Sequence, residues 1–167
     1  MSAWEDEDGR LSSVFRDALR RAGLRGVIQS GVAGLDGGHD DDDVVTIGNV
    51  SYDWLMPRVS AVVHRASAGT LAATLRAGLP CSSVPVAFDN LFWARRLVRL
   101  GVSSGFSSVR DVGVERLAYL MGRAAHDSGM RARAAGLASK LAADDGAGRI
   151  LAELEENTHR RAGVARR

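Results

Sequence analysis

The chain has 167 residues, of which 46% are hydrophobic and 25% charged, as expected for one globular domain with its own core. A net charge of only +2, with no basic stripe interleaved with aromatic residues, argues against a nucleic-acid-binding protein. No apolar run approaches the roughly 20 residues that cross a bilayer, and Cys81, the only cysteine, permits no internal disulfide, so we expect a cytoplasmic protein.

Strand and helix patterns alternate along the first part of the chain. A helical pattern over residues 11–23 is followed by a short strand over 25–31, a Gly- and Asp-rich loop, and a second strand over 44–50. A short helical turn broken by Pro57 leads to a third strand over 60–65 and a helix over 68–78. The order so far is typical of an α/β protein.

The second part continues this alternation and then becomes helical. We predict a strand over 80–88, an amphipathic helix over 89–101, a short strand over 101–108, and helices near 111–124, 127–142 and 147–156. Short apolar strands separated by helices indicate a doubly wound parallel sheet, covered on both faces. We therefore predict an α/β, Rossmann-like domain over 11–156, between a flexible acidic segment (1–10) and a basic tail (157–167).

The sequence HRASAGT, residues 64–70, joins the third strand to the next helix. Ligands of such sheets bind at the carboxyl ends of the strands, and the first N–H groups of a helix attract anions. His64 could donate a hydrogen bond to phosphate, Gly69 would allow close approach, and Ser67 and Thr70 offer hydroxyl groups. A tight crossover that binds nothing explains the same pattern equally well.

The next junction, PVAFDN, ends a strand with Asp89 and Asn90 at the start of a helix. Both residues are favoured as helix N-caps, which gives them a purely structural explanation. A carboxylate and an amide at the ligand edge of a sheet also suit the hydroxyl groups of a sugar. Because one helix and one strand separate the two junctions, we expect them to lie side by side.

A long ordered stretch carries a family resemblance. Residues 49–102 read NVSYDWLMPRVSAVVHRASAGTLAATLRAGLPCSSVPVAFDNLFWARRLVRLGV. This stretch resembles the donor-binding, C-terminal half of the UDP-glycosyltransferase superfamily, in its bacterial antibiotic and sterol branch, where members read D-W-L-x-P-R, H-H-G-G-A-G-T, A-L-R-A-G-x-P and P-x-x-x-D-Q-x-x-W-A-R-R. The resemblance covers roughly residues 11–156. It implies one half of a GT-B fold that binds a UDP- or TDP-hexose for inverting transfer to a small acceptor, with no metal or other cofactor.

The resemblance also implies a role for individual residues. Trp93, in the helix after the D-Q position, is expected to pack in the core rather than contact the ligand. The expected contacts to the donor are, for the diphosphate, His64, Arg65, Ser67, Ala68, Gly69 and Thr70; for the sugar, Asp89 and Asn90; and for the nucleobase, the backbone at Val50 and Ser51.

Several positions depart from the family pattern. Arg65 replaces the second histidine, Ala66 and Ser67 replace two glycines, Asn90 replaces glutamine, and Ser51 replaces a proline. A β-carbon is unfavourable where the backbone needs a positive φ, whereas arginine could bond phosphate directly or point to solvent. Two hypotheses therefore stay open: a donor-binding half of a glycosyltransferase, or a non-catalytic homologue that docks on a partner glycosyltransferase and stabilises it.

The resemblance implies further parts that these residues do not supply. In GT-B enzymes the general base belongs to an N-terminal acceptor domain, and a first strand with a Gly-rich loop stands where this chain reads MSAWEDEDGR. We expect no catalytic residue in the chain and no turnover by the chain alone. An unpaired sheet edge favours association with a partner protein or a second copy.

The remaining histidines and the acidic loop suggest no second site. His39, His126 and His159 are expected on the surface. The run HDDDD at 39–43 contains oxygen ligands that suit a hard cation, but consecutive acids in a loop seldom converge on one ion. We expect no metal site.

Overall fold

The computed structural model describes residues 9–31, 34–36 and 42–164, and the predicted elements are present in the predicted order. A turn of 3-10 helix, Met56–Arg58, follows the second helix. The helices and strands are α1 (Arg10–Arg21), β1 (Gly26–Gln29), β2 (Val44–Ile47), α2 (Tyr52–Leu55), β3 (Val62–His64), α3 (Ala68–Arg76), β4 (Cys81–Ser83), α4 (Asn90–Arg99), β5 (Ser103–Phe106), α5 (Val114–His126), α6 (Ser128–Ala142) and α7 (Gly146–Val164).

Two boundaries differ from the sequence prediction by five residues or more. Strand β4 ends at Ser83 instead of reaching residue 88. Pro85 lies two residues further on and has no N–H to continue a ladder, which accounts for the early end. Helix α7 continues past residue 156, where the basic tail was predicted to begin, and ends at Val164.

All strand pairs are parallel, in two groups: β1 with β2, and β3-β4-β5 in that order. His64, the last residue of β3, lies opposite Ser83, the last residue of β4. The carboxyl ends of these strands therefore meet at one edge of the sheet. Among the described residues, β1 and β3 are each paired on one side only.

Helices cover both faces of the strands, as in a doubly wound α/β domain. On one side α1 packs against α5, around a cluster that includes Ile28, Val44 and Leu117. On the other side α3 packs against α6, around a cluster that includes Leu71 and Leu97. The predicted α/β, Rossmann-like fold is confirmed.

Cys81 lies in the core. Its side chain is fully enclosed, and burial raises the pKa of its thiol to about 12. The thiol is therefore protonated near neutral pH and is not a nucleophile.

In the part of the chain that the structure describes, no helix is both long and apolar enough to cross a membrane.

Candidate functional site

His64 lies at the end of β3, where the chain turns toward α3. Its Nδ1 atom accepts a hydrogen bond from the Ala66 backbone N–H at 2.8 Å. In a neutral imidazole the proton must then be on Nε2, which becomes a donor. Nε2 is buried and has no hydrogen-bond partner within the described ranges. His64 thus has a hydrogen-bond donor, Nε2–H, whose direction is fixed and which has no partner among the described residues.

Burial keeps this imidazole neutral. Only 8% of His64 is exposed, and desolvation lowers its pKa from 6.5 to about 4. At neutral pH the residue can therefore donate a hydrogen bond but carries no charge. Because Nε2 is closed off from solvent, a ligand reaches it only if neighbouring groups move aside.

Ala66 stands where the family pattern has glycine, and it has a backbone conformation that favours glycine. Its φ is +64°, in the left-handed region, and its residue is fully buried. A β-carbon in this region is unfavourable by roughly 1–2 kcal/mol. The hydrogen bond from the Ala66 N–H to the His64 Nδ1 helps to hold this turn in place.

We expect Ala66→Gly to change the free energy of unfolding by less than about 0.5 kcal/mol, because relief of the positive-φ strain offsets the loss of a buried methyl group and the added chain entropy. Ala94 in α4 is the matched control, since it is equally buried but helical. Ala94→Gly should lose about 2 kcal/mol. Urea denaturation measures both, and equal losses would contradict a strained turn at Ala66.

Helix α3 begins directly after this turn. Ser67 is its N-cap residue, yet its side chain caps no N–H group. Ala68 and Gly69, the first helical residues, are exposed. The first turn of α3 therefore presents small residues and uncapped N–H groups beside His64, which is the arrangement that favours an anion.

The hydroxyl group of Tyr52, which was not among the site residues predicted from the sequence, lies at this turn. The Thr70 Oγ1 lies 3.0 Å from the Tyr52 hydroxyl and 3.5 Å from the Ser67 Oγ. Ser51 is the N-cap of α2, and its Oγ accepts a hydrogen bond from the Asp53 N–H at 3.2 Å. This cap stabilises the start of the helix that carries Tyr52. Tyr52 lies eighteen residues before Thr70, and no local pattern predicts the contact. Contact of Val50 and Ser51 with a nucleobase stays a prediction.

Asp89 precedes α4 in the N-cap position but does not cap the helix. Instead, its Oδ2 accepts a hydrogen bond from the Trp93 indole N–H at 2.7 Å, and its side chain is exposed. Trp93 is half-buried and packs against the cluster around Leu97, which agrees with its predicted place in the core. N-capping therefore does not explain Asp89, whose carboxylate is oriented by the Trp93 indole in the first turn of α4.

Asn90 connects the two junctions. It is 5% exposed, and in the amide orientation that satisfies its neighbours, Nδ2 donates to the Ala87 carbonyl at 3.1 Å and the Arg65 carbonyl at 3.3 Å. The Val84 N–H also donates to the His64 carbonyl at 2.9 Å. The expectation that the two junctions lie side by side is confirmed. The side chain of Arg65 is exposed. A hydrogen bond from Arg65 or Asn90 to a nucleotide-sugar donor stays a prediction.

Other candidate groups lie elsewhere. His126 is exposed, as predicted, whereas His39 lies outside the described residues. No group of three or more histidine, cysteine, aspartate or glutamate side chains within the described residues could hold a metal ion. A shallow depression of about 360 Å³ between α1 and α5 is lined by Arg21, Glu115, Tyr119 and Arg123, and it does not include His64 or Asp89.

Sequence comparison finds glycosyltransferases, although no protein-family model matches the chain. The chain is 37% identical over 112 residues to the sterol 3-beta-glucosyltransferase UGT80A2 of Arabidopsis thaliana, across 66% of this chain and 18% of that protein. It is 38% identical over 114 residues to the O-mycaminosyltylonolide 6-deoxyallosyltransferase of Streptomyces fradiae, across 68% of this chain and 27% of that protein. The matches thus span about a fifth to a quarter of the length of these relatives.

Solved structures share the fold. The glycosyltransferase VinC, in complex with DTDP, superposes with a TM-score of 0.76 at 24% identity, over 89% of this chain and 37% of that chain. The glycotransferase of kitacinnamycin superposes with a TM-score of 0.75 at 22% identity, over 89% of this chain and 39% of that chain. Taken together with the sequence matches, this fold identifies the chain as a C-terminal-type domain of the UDP-glycosyltransferase superfamily, a Rossmann-like half of the GT-B fold.

Proposed function

We propose that this chain binds a nucleoside-diphosphate hexose as the donor for glycosyl transfer to a small-molecule acceptor. The observation that carries the proposal is the neutral imidazole of His64, whose Nε2–H is buried and has no partner among the described residues. A buried donor left without a partner costs about 1–3 kcal/mol, so a ligand that accepts from it gains that amount. The uncapped start of α3 supports an anion at the same place.

In the proposed reaction the acceptor oxygen displaces the diphosphate from the anomeric carbon, with inversion. The new carbon–oxygen bond forms as the bond to the diphosphate breaks, and the acceptor proton passes to a base outside this chain. Negative charge grows on the departing diphosphate, where the His64 Nε2–H and the first N–H groups of α3 stabilise it. Among the residues described, we assign no base, and the role of this half is to position and stabilise the donor.

The sugar would lie beside Asp89, whose carboxylate Trp93 already orients. The two curated relatives are named for transferring glucose to a sterol and 6-deoxyallose to a tylonolide derivative. Their acceptors suggest an apolar small molecule for this chain, and both sugars are hexoses.

Calorimetry with UDP, TDP and their hexose derivatives tests the proposal directly. We expect saturable binding of a nucleoside diphosphate that is competed by its hexose derivative. A folded protein that binds none of these compounds would contradict donor binding and leave the non-catalytic module as the better reading.

We also propose that the chain associates through its strand edges. In the common Rossmann order, one central strand lies between the two halves of the sheet. Among the described residues, β1 and β3 are each paired on one side only. A strand paired on one side only can add a strand from another chain. Val27 in β1 and Val45 in β2 lie opposite each other and are 47% and 42% exposed, which adds an apolar patch. The partner is a second copy or a separate acceptor-domain protein.

Light scattering on the purified chain should therefore give a mass above that of one chain. Val27→Lys should shift the distribution toward monomer, because lysine opposes edge pairing. Val98→Lys is the matched control, since Val98 is 40% exposed but lies on α4. A concentration-independent monomer would contradict homodimerisation, and an equal response of the two variants would contradict a role for β1.

A further inference from the structure

Hydroxyl groups from two separate helices meet at the start of α3. The Tyr52 hydroxyl, on α2, lies 3.0 Å from the Thr70 Oγ1, which in turn lies 3.5 Å from the Ser67 Oγ. Ser67 is the N-cap residue of α3, and Thr70 is the third residue of that helix. This hydroxyl cluster (Tyr52, Ser67 and Thr70) therefore lies at the end of α3 where helical N–H groups have no partner within the helix.

The cluster accounts for the uncapped start of α3. An N-cap serine usually accepts a hydrogen bond from the N–H of the second or third helical residue. Ser67 caps no N–H group, and its Oγ donates instead to the hydroxyl of Thr70. The N–H groups of the first turn of α3 are thereby left available to an external anion.

The orientation of the Thr70 side chain depends on α2. A threonine in a helix divides between two side-chain orientations, because its Oγ1 can bond the carbonyl one turn earlier. Thr74, one turn further on, makes this local bond: its Oγ1 donates to the Thr70 carbonyl at 2.8 Å. The Thr70 Oγ1 lies beside the Tyr52 hydroxyl instead. A contact between two helices, rather than a bond within one, therefore sets the direction of the Thr70 hydroxyl.

This geometry gives Tyr52 a role in the site. Resting on the proposed function, we propose that Tyr52 is a positioning residue that holds the Thr70 hydroxyl toward the diphosphate of the donor. Each hydroxyl group has one proton to donate and two lone pairs to accept. When Tyr52 donates to the Thr70 Oγ1, Thr70 keeps its own proton for a phosphate oxygen. That oxygen lies at the start of α3, close to the Nε2–H of His64.

Calorimetry with UDP, and with TDP in parallel, tests this role. Tyr52→Phe removes only the hydroxyl and should weaken binding by about three- to tenfold, the range that one neutral hydrogen bond contributes. Tyr119→Phe is the matched control, because Tyr119 is the only other tyrosine and is exposed on α5. Unaltered affinity in a folded Tyr52→Phe protein, or an equal loss in Tyr119→Phe, would overturn the inference alone. If the unmodified protein binds neither UDP nor TDP, the proposed function fails and this inference fails with it.

A double-mutant cycle distinguishes positioning from direct contact or from a general effect on the fold. Thr70→Val removes the hydroxyl but keeps the branched shape, and it should also weaken binding. In the Thr70→Val protein, Tyr52→Phe should change the affinity by less than about twofold, because the group through which Tyr52 acts is gone. Losses that multiply in the double variant would overturn the positioning role.

A third variant keeps the test independent of the folding of Tyr52→Phe. Thr70→Ser retains a hydroxyl group beside Tyr52 and should bind UDP or TDP within about threefold of the unmodified protein, unlike Thr70→Val. Circular dichroism verifies that each variant is folded. An equal loss of affinity in Thr70→Ser and Thr70→Val would show that the hydroxyl is not the group that matters, and would overturn the inference.

Discussion

Replacement of His64 by asparagine is expected to weaken the binding of UDP or TDP by at least tenfold while the domain remains folded. The asparagine Oδ1 lies near the position of the imidazole Nδ1, so it can still accept from the Ala66 N–H that shapes the turn. The asparagine has no donor at the position of Nε2. Loss of a hydrogen bond to a charged group costs about 1.5–3 kcal/mol, which corresponds to a loss of affinity of roughly 10- to 150-fold.

Two further variants sharpen this test. His64→Gln reaches further and places an amide N–H near the position of Nε2, so it should recover part of the affinity. His126→Asn changes an exposed histidine at the end of α5 and should leave binding unchanged. Calorimetry gives the affinities and circular dichroism verifies the fold. Unaltered affinity in a folded His64→Asn protein would contradict the role of this imidazole in donor binding.

The second large effect is on stability in acid. A histidine in the unfolded chain has a pKa near 6.5, whereas burial lowers the pKa of His64 to about 4. Between these values the unfolded chain binds a proton that the folded protein excludes, so acid favours unfolding. The free energy of unfolding should therefore fall as the pH decreases from about 6.5 to 4. At about 1.4 kcal/mol per pH unit, the total loss from His64 is roughly 3 kcal/mol.

Urea denaturation of the ligand-free protein at intervals from pH 7 to pH 4 measures this loss. Carboxylates titrate at the lower end of the range, and Asp127 is one example: the Met130 N–H and Arg123 lower its pKa. His64→Asn retains these groups, so the difference between the two proteins isolates the histidine. As the pH falls from about 6.5 to 4, the free energy of unfolding of the wild-type protein should decrease by roughly 3 kcal/mol more than that of His64→Asn. Parallel curves for the two proteins would contradict the neutral, buried state of His64.

Most of the fold could be predicted from the sequence, because its elements depend on local patterns. The apolar spacing of α4 buries Ala94 and Leu97 and leaves its arginines exposed, as amphipathic spacing requires. Boundaries were less well predicted. Strand β4 is shorter than its pattern indicates because Pro85 cannot continue the ladder, and helix α7 is longer than its pattern indicates.

The candidate site could be located from the sequence, but the state of its groups could not. The chain order places His64 at the end of β3 and Asp89 in the segment that follows the adjacent strand β4. Whether Asp89 caps its helix or bonds Trp93 depends on an indole whose position is set by core packing. The contact between Tyr52 and Thr70 likewise depends on the path of a separate helix.

The amino-acid sequence by itself determined the α/β alternation, the two junctions and the family, because hydrophobic period and small residues at a helix start act over a few positions. Only the tertiary structure decided that His64 is neutral with its donor on Nε2, that Ala66 keeps a positive φ, and that Asn90 joins the two junctions internally. Each of these depends on burial or on the exact backbone path, and desolvation and hydrogen bonding are set by the folded surroundings.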